Sequence, residues 1–134
     1  MENVSYANVI GSVMYAMIST KPDLSFAMSL LSCFMTNLES KHWFALKWVL
    51  RYINDTSHVG LEYCKRYNSL DLVSFVDSDF ADDKDTRKST TSYFFTLGRN
   101  CVSWKSQLQP IVTLSSTEAE SVAIANVFKE ALWL

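Results

Sequence analysis

Between Asn8 and Ile53 the apolar residues recur at helical spacing, whereas from Leu72 to Leu114 they run in short clusters broken by polar residues. Asn8 to Ile18 reads as a first helix, closed by Pro22, because proline disfavours a helical conformation in Lys21 before it. Leu24, Ala27, Met28, Leu31 and Met35 form a second helical stripe, and Trp43, Leu46, Leu50 and Ile53 a third. The aromatic and methionine side chains of these helices are expected in packing rather than around a cofactor. The helical period stops around Asn54 to His58, and Gly60 opens a strand-like stretch, Leu61 to Cys64. After the polar segment Lys65 to Ser69, strands are predicted at Leu72–Val76, Thr91–Leu97, Cys101–Trp104 and Ile111–Leu114. Gly98-Arg99-Asn100 makes a turn in which Gly98 and Asn100 tolerate positive φ. A last helix carries Ile124, Val127, Phe128 and Ala131 and starts at a capping box, with Ser115 three residues before Glu118.

Two acidic residues interrupt this pattern. If Leu72 to Val76 is a strand, Asp77 shares a side with Val73 and Phe75, and that side is expected to be buried. Glu120 lies four residues before Ile124 and so opens the apolar stripe of the last helix. An isolated carboxylate on an apolar face costs several kcal/mol unless a cation, a donor or a metal accompanies it. A divalent ion shared by Asp77 and Glu120 would satisfy both.

The length of 134 residues allows one compact domain or two small parts of larger ones. A hydrophobic fraction of 49% with three Gly and two Pro excludes a disordered chain. Cys33, Cys64 and Cys101 are odd in number and widely spaced, which fits neither a disulfide framework nor a zinc site, and implies a reducing compartment. The uncharged stretch Asn3 to Thr20 is interrupted by Ser5, Asn8, Ser12 and Ser19, and Glu2 stands where a signal peptide would carry a base, so no targeting signal and no membrane span are expected. The net charge of −2 is unlike that of a nucleic-acid binder, yet Lys84, Arg87, Lys88, Arg99 and Lys105 lie in a stretch whose only acid is Asp85. A solvated face is the simpler explanation of such a run. His42, near a helix start, and His58, in a loop, read as structural or solvent-facing.

The wording of residues 72–120, LVSFVDSDFADDKDTRKSTTSYFFTLGRNCVSWKSQLQPIVTLSSTEAE, resembles the ribonuclease H region of Ty/copia-type retrotransposon Pol polyproteins. The stretches YANVIGSVMYAMISTKPDLSFAMSLLSCFM and KHWFALKWVLRYINDTSHVGLEY resemble the end of the reverse transcriptase region that precedes it in those polyproteins. The resemblance covers residues 6–134 and implies an α+β chain: a helical segment, residues 1–66, then an incomplete ribonuclease H-like fold, residues 67–134, made of an antiparallel meander and its first helix. Asp77 matches the family's first catalytic aspartate and Glu120 its catalytic glutamate, the same pair singled out by spacing. Asp79, two residues on along the same strand face, is a further candidate metal ligand. Phe80 stands where the family usually has Trp, Asp82 and Ser92 where Gly is usual, and Ser121 where Tyr is usual, departures compatible with drift.

In such a family the carboxylates hold two Mg²⁺ ions about 3.5 to 4 Å apart, which activate water and stabilise the leaving oxygen of the RNA strand of an RNA–DNA hybrid during reverse transcription. Lys84, Arg87, Lys88, Arg99 and Lys105 are then expected to follow phosphates, with Ser89, Thr90 and Thr91 as neutral contacts or as strand-start residues. The rest of the Pol polyprotein is the implied partner, and the cytoplasm or a virus-like particle the implied location. The sequence to Leu134 lacks the family's next strand and its aspartate, so a nuclease site that is incomplete and inactive in this chain is expected. A non-catalytic nucleic-acid-binding or interaction module and a non-functional genomic remnant are the alternative readings.

Overall fold

The computed structural model describes residues 5–65 and 70–134. The chain divides into two units, residues 1–61 and 62–134. The expected boundary at Lys65 to Ser69 falls, from residue 66 on, outside the described residues.

The first unit is helical. Helix α1 (Tyr6–Thr20) ends where Lys21 leaves the helical region, at φ −125° and ψ 69°, as the residue before Pro22 must. A 3₁₀ turn at Pro22–Leu24 leads into α2 (Ser25–Cys33), and α3 (Ser40–Asp55) follows. Tyr6, Ile10 and Val13 of α1 meet Leu24, Met28 and Leu31 across Leu46 of α3, which is completely buried. The Tyr6 hydroxyl donates to the Leu31 carbonyl at 3.1 Å, so the phenol enters the core with its polar end satisfied. Two stripe positions differ from expectation: Leu50 and Met35 are exposed, the latter because α2 stops at Cys33. His42 is buried near the start of α3, its Nδ1 accepting the Glu39 amide at 3.0 Å, and His58 is exposed.

The second unit is an antiparallel meander of β1 (Leu72–Asp79), β2 (Thr90–Leu97) and β3 (Asn100–Leu108), in that spatial order, with helix α4 (Ser116–Ala131) packed on β1 and β2. This α+β arrangement has the element order expected for the opening part of a ribonuclease H-like fold. Its small core joins Tyr93 and Phe95 of β2 to Val127 and Ala131 of α4. Half of the expected capping box forms, with the Ser115 hydroxyl accepting from the Glu118 amide at 3.2 Å. The Glu118 carboxylate reaches one residue further back than expected, to the Leu114 amide at 2.7 Å.

Three sequence expectations are corrected. The β2–β3 connection is a two-residue turn with positive φ at Gly98 (54°) and Arg99 (66°), not at Asn100, the pattern that best fits the twist of a hairpin. Asn100 instead pairs across to residue 64: its side chain accepts from the Cys64 amide at 2.9 Å and donates to the Cys64 carbonyl at 3.2 Å. Leu61 to Cys64 therefore stays irregular, because a side-chain amide satisfies there what a strand neighbour would have satisfied. Ile111 to Leu114 is also not a strand; it is the link from β3 to α4, with Ile111, Val112 and Leu114 exposed.

Candidate functional site

Register fixes which residues share a face. Val76 lies opposite Tyr93, Ser74 opposite Phe95 and Ser78 opposite Thr91, and Tyr93, Phe95 and Thr91 are buried. Ser74, Ser78 and Val76 therefore face α4, and Ser74 and Val76 line a narrow apolar groove with Ile124, Val127, Phe128 and Ala131. By alternation Val73, Phe75, Asp77 and Asp79 point to the other face. That face is open. Val73 is 45% and Phe75 50% exposed, and Asp77 is exposed as well, so the expected burial of Asp77 does not occur. On that face Phe75 stacks on Phe94 with ring centroids 4.7 Å apart, and both rings stay more than a third exposed. The Asp77 carboxylate accepts the amide of its own neighbour Ser78 at 2.9 Å.

Glu120 is also exposed, a second departure from the inward position expected. The side of α4 turned to the sheet is Ala119, Ala123 and Val127, where two alanines allow close approach of helix and strands. Ile124 and Phe128 lie at the groove margin, one third of a turn round, and Glu120 continues that margin rather than the covered stripe.

Beyond that apolar core, the first turn of α4 is tied to the sheet by a buried polar knot with no periodic signal in the sequence. The Gln109 side-chain amide, 1% exposed, donates to Thr91 Oγ1 at 2.9 Å, to the Ala119 carbonyl at 2.9 Å and to Ser78 Oγ at 3.4 Å. The Ser89 and Thr113 hydroxyls pair at 2.8 Å, and Ser89 Oγ also accepts the Ala81 amide at 3.1 Å. Ser89, Thr90 and Thr91 are thus buried strand-start residues: Ser89 and Thr91 enter the knot, and Thr90, on the other face, donates to the Asp82 carboxylate at 3.3 Å. Gln109 Oε1 has no partner. This knot brings the turn that carries Glu120 to the end of β1 that carries Asp77 and Asp79. It leaves the two sides of β1 distinct: Glu120 belongs to the helix side, Asp77 and Asp79 to the other.

The loop from β1 to β2 lies at this same end. Asp83 closes it: its carboxylate accepts the Thr86 amide at 3.1 Å and the Thr86 hydroxyl, its amide donates to the Lys88 carbonyl at 3.1 Å, and its carbonyl accepts the Arg87 amide at 2.7 Å. The Thr86 hydroxyl, helped by the Thr86 and Asp85 amides and the charge of Lys88, holds the Asp83 carboxyl below the usual aspartate range. Arg87 takes φ 58°, a left-handed conformation, in the same tight loop that carries Lys84 and Lys88, of which Lys84 and Arg87 are exposed and Lys88 partly so. Arg99 is at the opposite end of strands roughly 25 Å long. Lys105, opposite Tyr93, is exposed mid-strand on the α4 side of β3. The five bases that adjoin in sequence are therefore split three, one and one in space.

Among the described residues no three His, Cys, Asp or Glu side chains converge as a metal site. Asp77 lies on the side of β1 away from α4, whereas Glu120 is carried by α4 itself. Among the described residues no helix is long and apolar enough to cross a membrane.

No family model matches the chain, and no solved structure matches it. Curated relatives do. A secreted RxLR effector protein 161 from Plasmopara viticola is 45% identical over 134 residues, the whole of this chain and 94% of that protein. The retrovirus-related Pol polyprotein from transposon TNT 1-94 of Nicotiana tabacum is 42% identical over the same 134 residues. That from transposon RE2 of Arabidopsis thaliana is 41% identical over 129 residues, 96% of this chain. The chain spans only 10% and 9% of those two polyproteins. Since the similarity runs through both units, helical and meander alike, the protein belongs to the Ty/copia-type retrotransposon Pol family as a stretch of the Pol polyprotein.

Proposed function

We propose that this chain corresponds to the end of the reverse transcriptase region and the start of a ribonuclease H-type unit, and that its own part is to hold an RNA–DNA hybrid without cutting it. One observation supports this above the others: the Asp83-closed loop sets Lys84, Arg87 and Lys88 at the same end of the sheet as Asp77 and Asp79. Cations there neutralise phosphates and position a duplex without reading its bases. The 2′-hydroxyls and groove shape of the hybrid supply any preference over DNA. Hydrolysis through two divalent ions needs several oxygens converging on adjacent charges. Asp77 and Glu120 approach the end of β1 from different sides, so they do not provide that cage.

Fluorescence anisotropy of a labelled RNA–DNA hybrid, titrated at several salt concentrations, tests the binding. The Arg87→Glu, Lys88→Glu double variant is expected to weaken it at least about tenfold and to flatten the salt slope. An unchanged affinity overturns the binding role. Incubation of the same hybrid with Mg²⁺ is expected to leave it intact. Robust cleavage, abolished by Asp77→Asn, overturns the non-catalytic reading.

A further inference from the structure

Helix α3 has a second face that the core does not use. Leu46, Val49 and Ile53 pack inward, whereas Phe44 and Trp48, one turn apart on the other side, are 65% and 66% exposed. Each carries a cation. Lys47 Nζ lies 5.6 Å from the Phe44 ring centroid, and the Arg51 guanidinium lies 5.0 Å from that of Trp48. Phe44, Lys47, Trp48 and Arg51 stand at i, i+3, i+4 and i+7, so rings and charges form one stripe, about 10 Å long at about 1.5 Å per residue. The only acid of α3 itself is Asp55, in its last turn.

Large exposed aromatics that gain nothing from burial call for a ligand, and the charges choose its class. A protein interface would favour the tryptophan and arginine but not lysines at its centre. A lipid surface would want the apolar side of α3, which the helical core already occupies. A single strand of nucleic acid offers π-faces to stack on the rings and phosphates for the cations.

We propose that the Phe44, Lys47, Trp48, Arg51 face of α3 binds single-stranded nucleic acid, without sequence preference. The site is separate from the β1–β2 loop and does not depend on the reading given to that loop. Arg51 and Lys47, now resting on the rings, would swing to phosphate as bases take their place on Trp48 and Phe44.

The test uses the full chain and a fluorescein-labelled 20-nucleotide oligodeoxythymidylate. Trp48→Ala and the Lys47→Glu, Arg51→Glu double variant are each expected to weaken binding about tenfold, and Trp48→Phe to retain most of it. All four side chains are exposed, so far-UV circular dichroism is expected to be unchanged by these substitutions. Equal affinity in all variants overturns the proposal. So does a loss confined to the Arg87→Glu, Lys88→Glu variant, which would leave the loop as the only binding surface and the hybrid-holding reading intact. Binding to vesicles containing phosphatidylserine that needs Trp48, with no oligonucleotide binding, would also overturn it, by assigning the face to lipid.

Discussion

The Gln109 side-chain amide and the Ala119 carbonyl, 2.9 Å apart, join the end of the sheet to the first turn of α4. Ten residues separate them in sequence, and both are almost fully buried. Gln109→Ala removes the two short bonds donated to Thr91 and Ala119 and opens a cavity, which is expected to cost about 2 to 4 kcal/mol. A urea midpoint for the meander unit equal to that of the parent would show that the knot is dispensable.

Lys21 is the corresponding device in the helical unit. Its ammonium donates to the carbonyls of Thr56 and Val59 at 2.6 and 2.7 Å and to the Thr56 hydroxyl at 3.3 Å, at the carboxyl end of α3, and its side chain is buried. Lys21→Met keeps the stem but takes the ammonium away from the Thr56 and Val59 carbonyls just past α3, at an expected cost of about 2 kcal/mol. Thermal melting followed by helical ellipticity would register it; an unshifted transition would contradict it.

Ala81 and Arg87 adopt φ of 50° and 58°, which costs roughly 1 kcal/mol in a residue with a Cβ. Ala81→Gly and Arg87→Gly are therefore each expected to stabilise the chain slightly, by up to about 1 kcal/mol before the entropy of glycine in the unfolded state is counted. Only Arg87→Gly is expected to weaken hybrid binding as well. Paired melting and anisotropy measurements separate the two effects.

Acid acts on the β1–β2 loop through Asp83. Because its folded pKa is depressed, the bonds that close the loop contribute stability above the ordinary aspartate range, and this is lost as pH falls through the lowered folded value. The Thr86 amide resonance is expected to titrate below the ordinary aspartate pKa and to stop titrating in Asp83→Asn. Titration at or above that ordinary value would contradict the geometry.

Strand β1 forms one edge of the sheet, and Leu72, Val73, Phe75 and Val76 are each more than a third exposed. An apolar edge of this kind invites pairing between chains. The isolated 134-residue chain is expected to scatter light on warming and to do so less as Phe75→Lys. A sharp, reversible melt at high concentration would show that the edge is protected.

Much of this was legible in the chain. Periodicity separates the helical part from the strand part, proline at 22 sets the end of α1, and Ser115 with Glu118 marks the start of α4, because these are consequences of local geometry. Alternation also places Asp77 and Asp79 on one side of β1. The quoted words carry the family, since similarity needs no coordinates. Periodicity states which residues share a side but not which side is covered. Both carboxylates and the aromatic face of α3 came out exposed for that reason: Phe44 and Trp48 were at helical spacing in the sequence, yet only the packing of Leu46 showed their side to be the outer one. The choice between the 119/123/127 and 120/124/128 sides of α4 rests on how closely a helix approaches the sheet, which the two alanines and the Gln109 bond decide. Lys21, Asn100 and Gln109 act across 35, 36 and 10 residues, and a contact at such separation leaves no pattern in the segment that makes it. Local order was fixed by residue spacing; the covered faces, and with them what remains exposed for ligands, were fixed by contacts that exist only once the chain is folded.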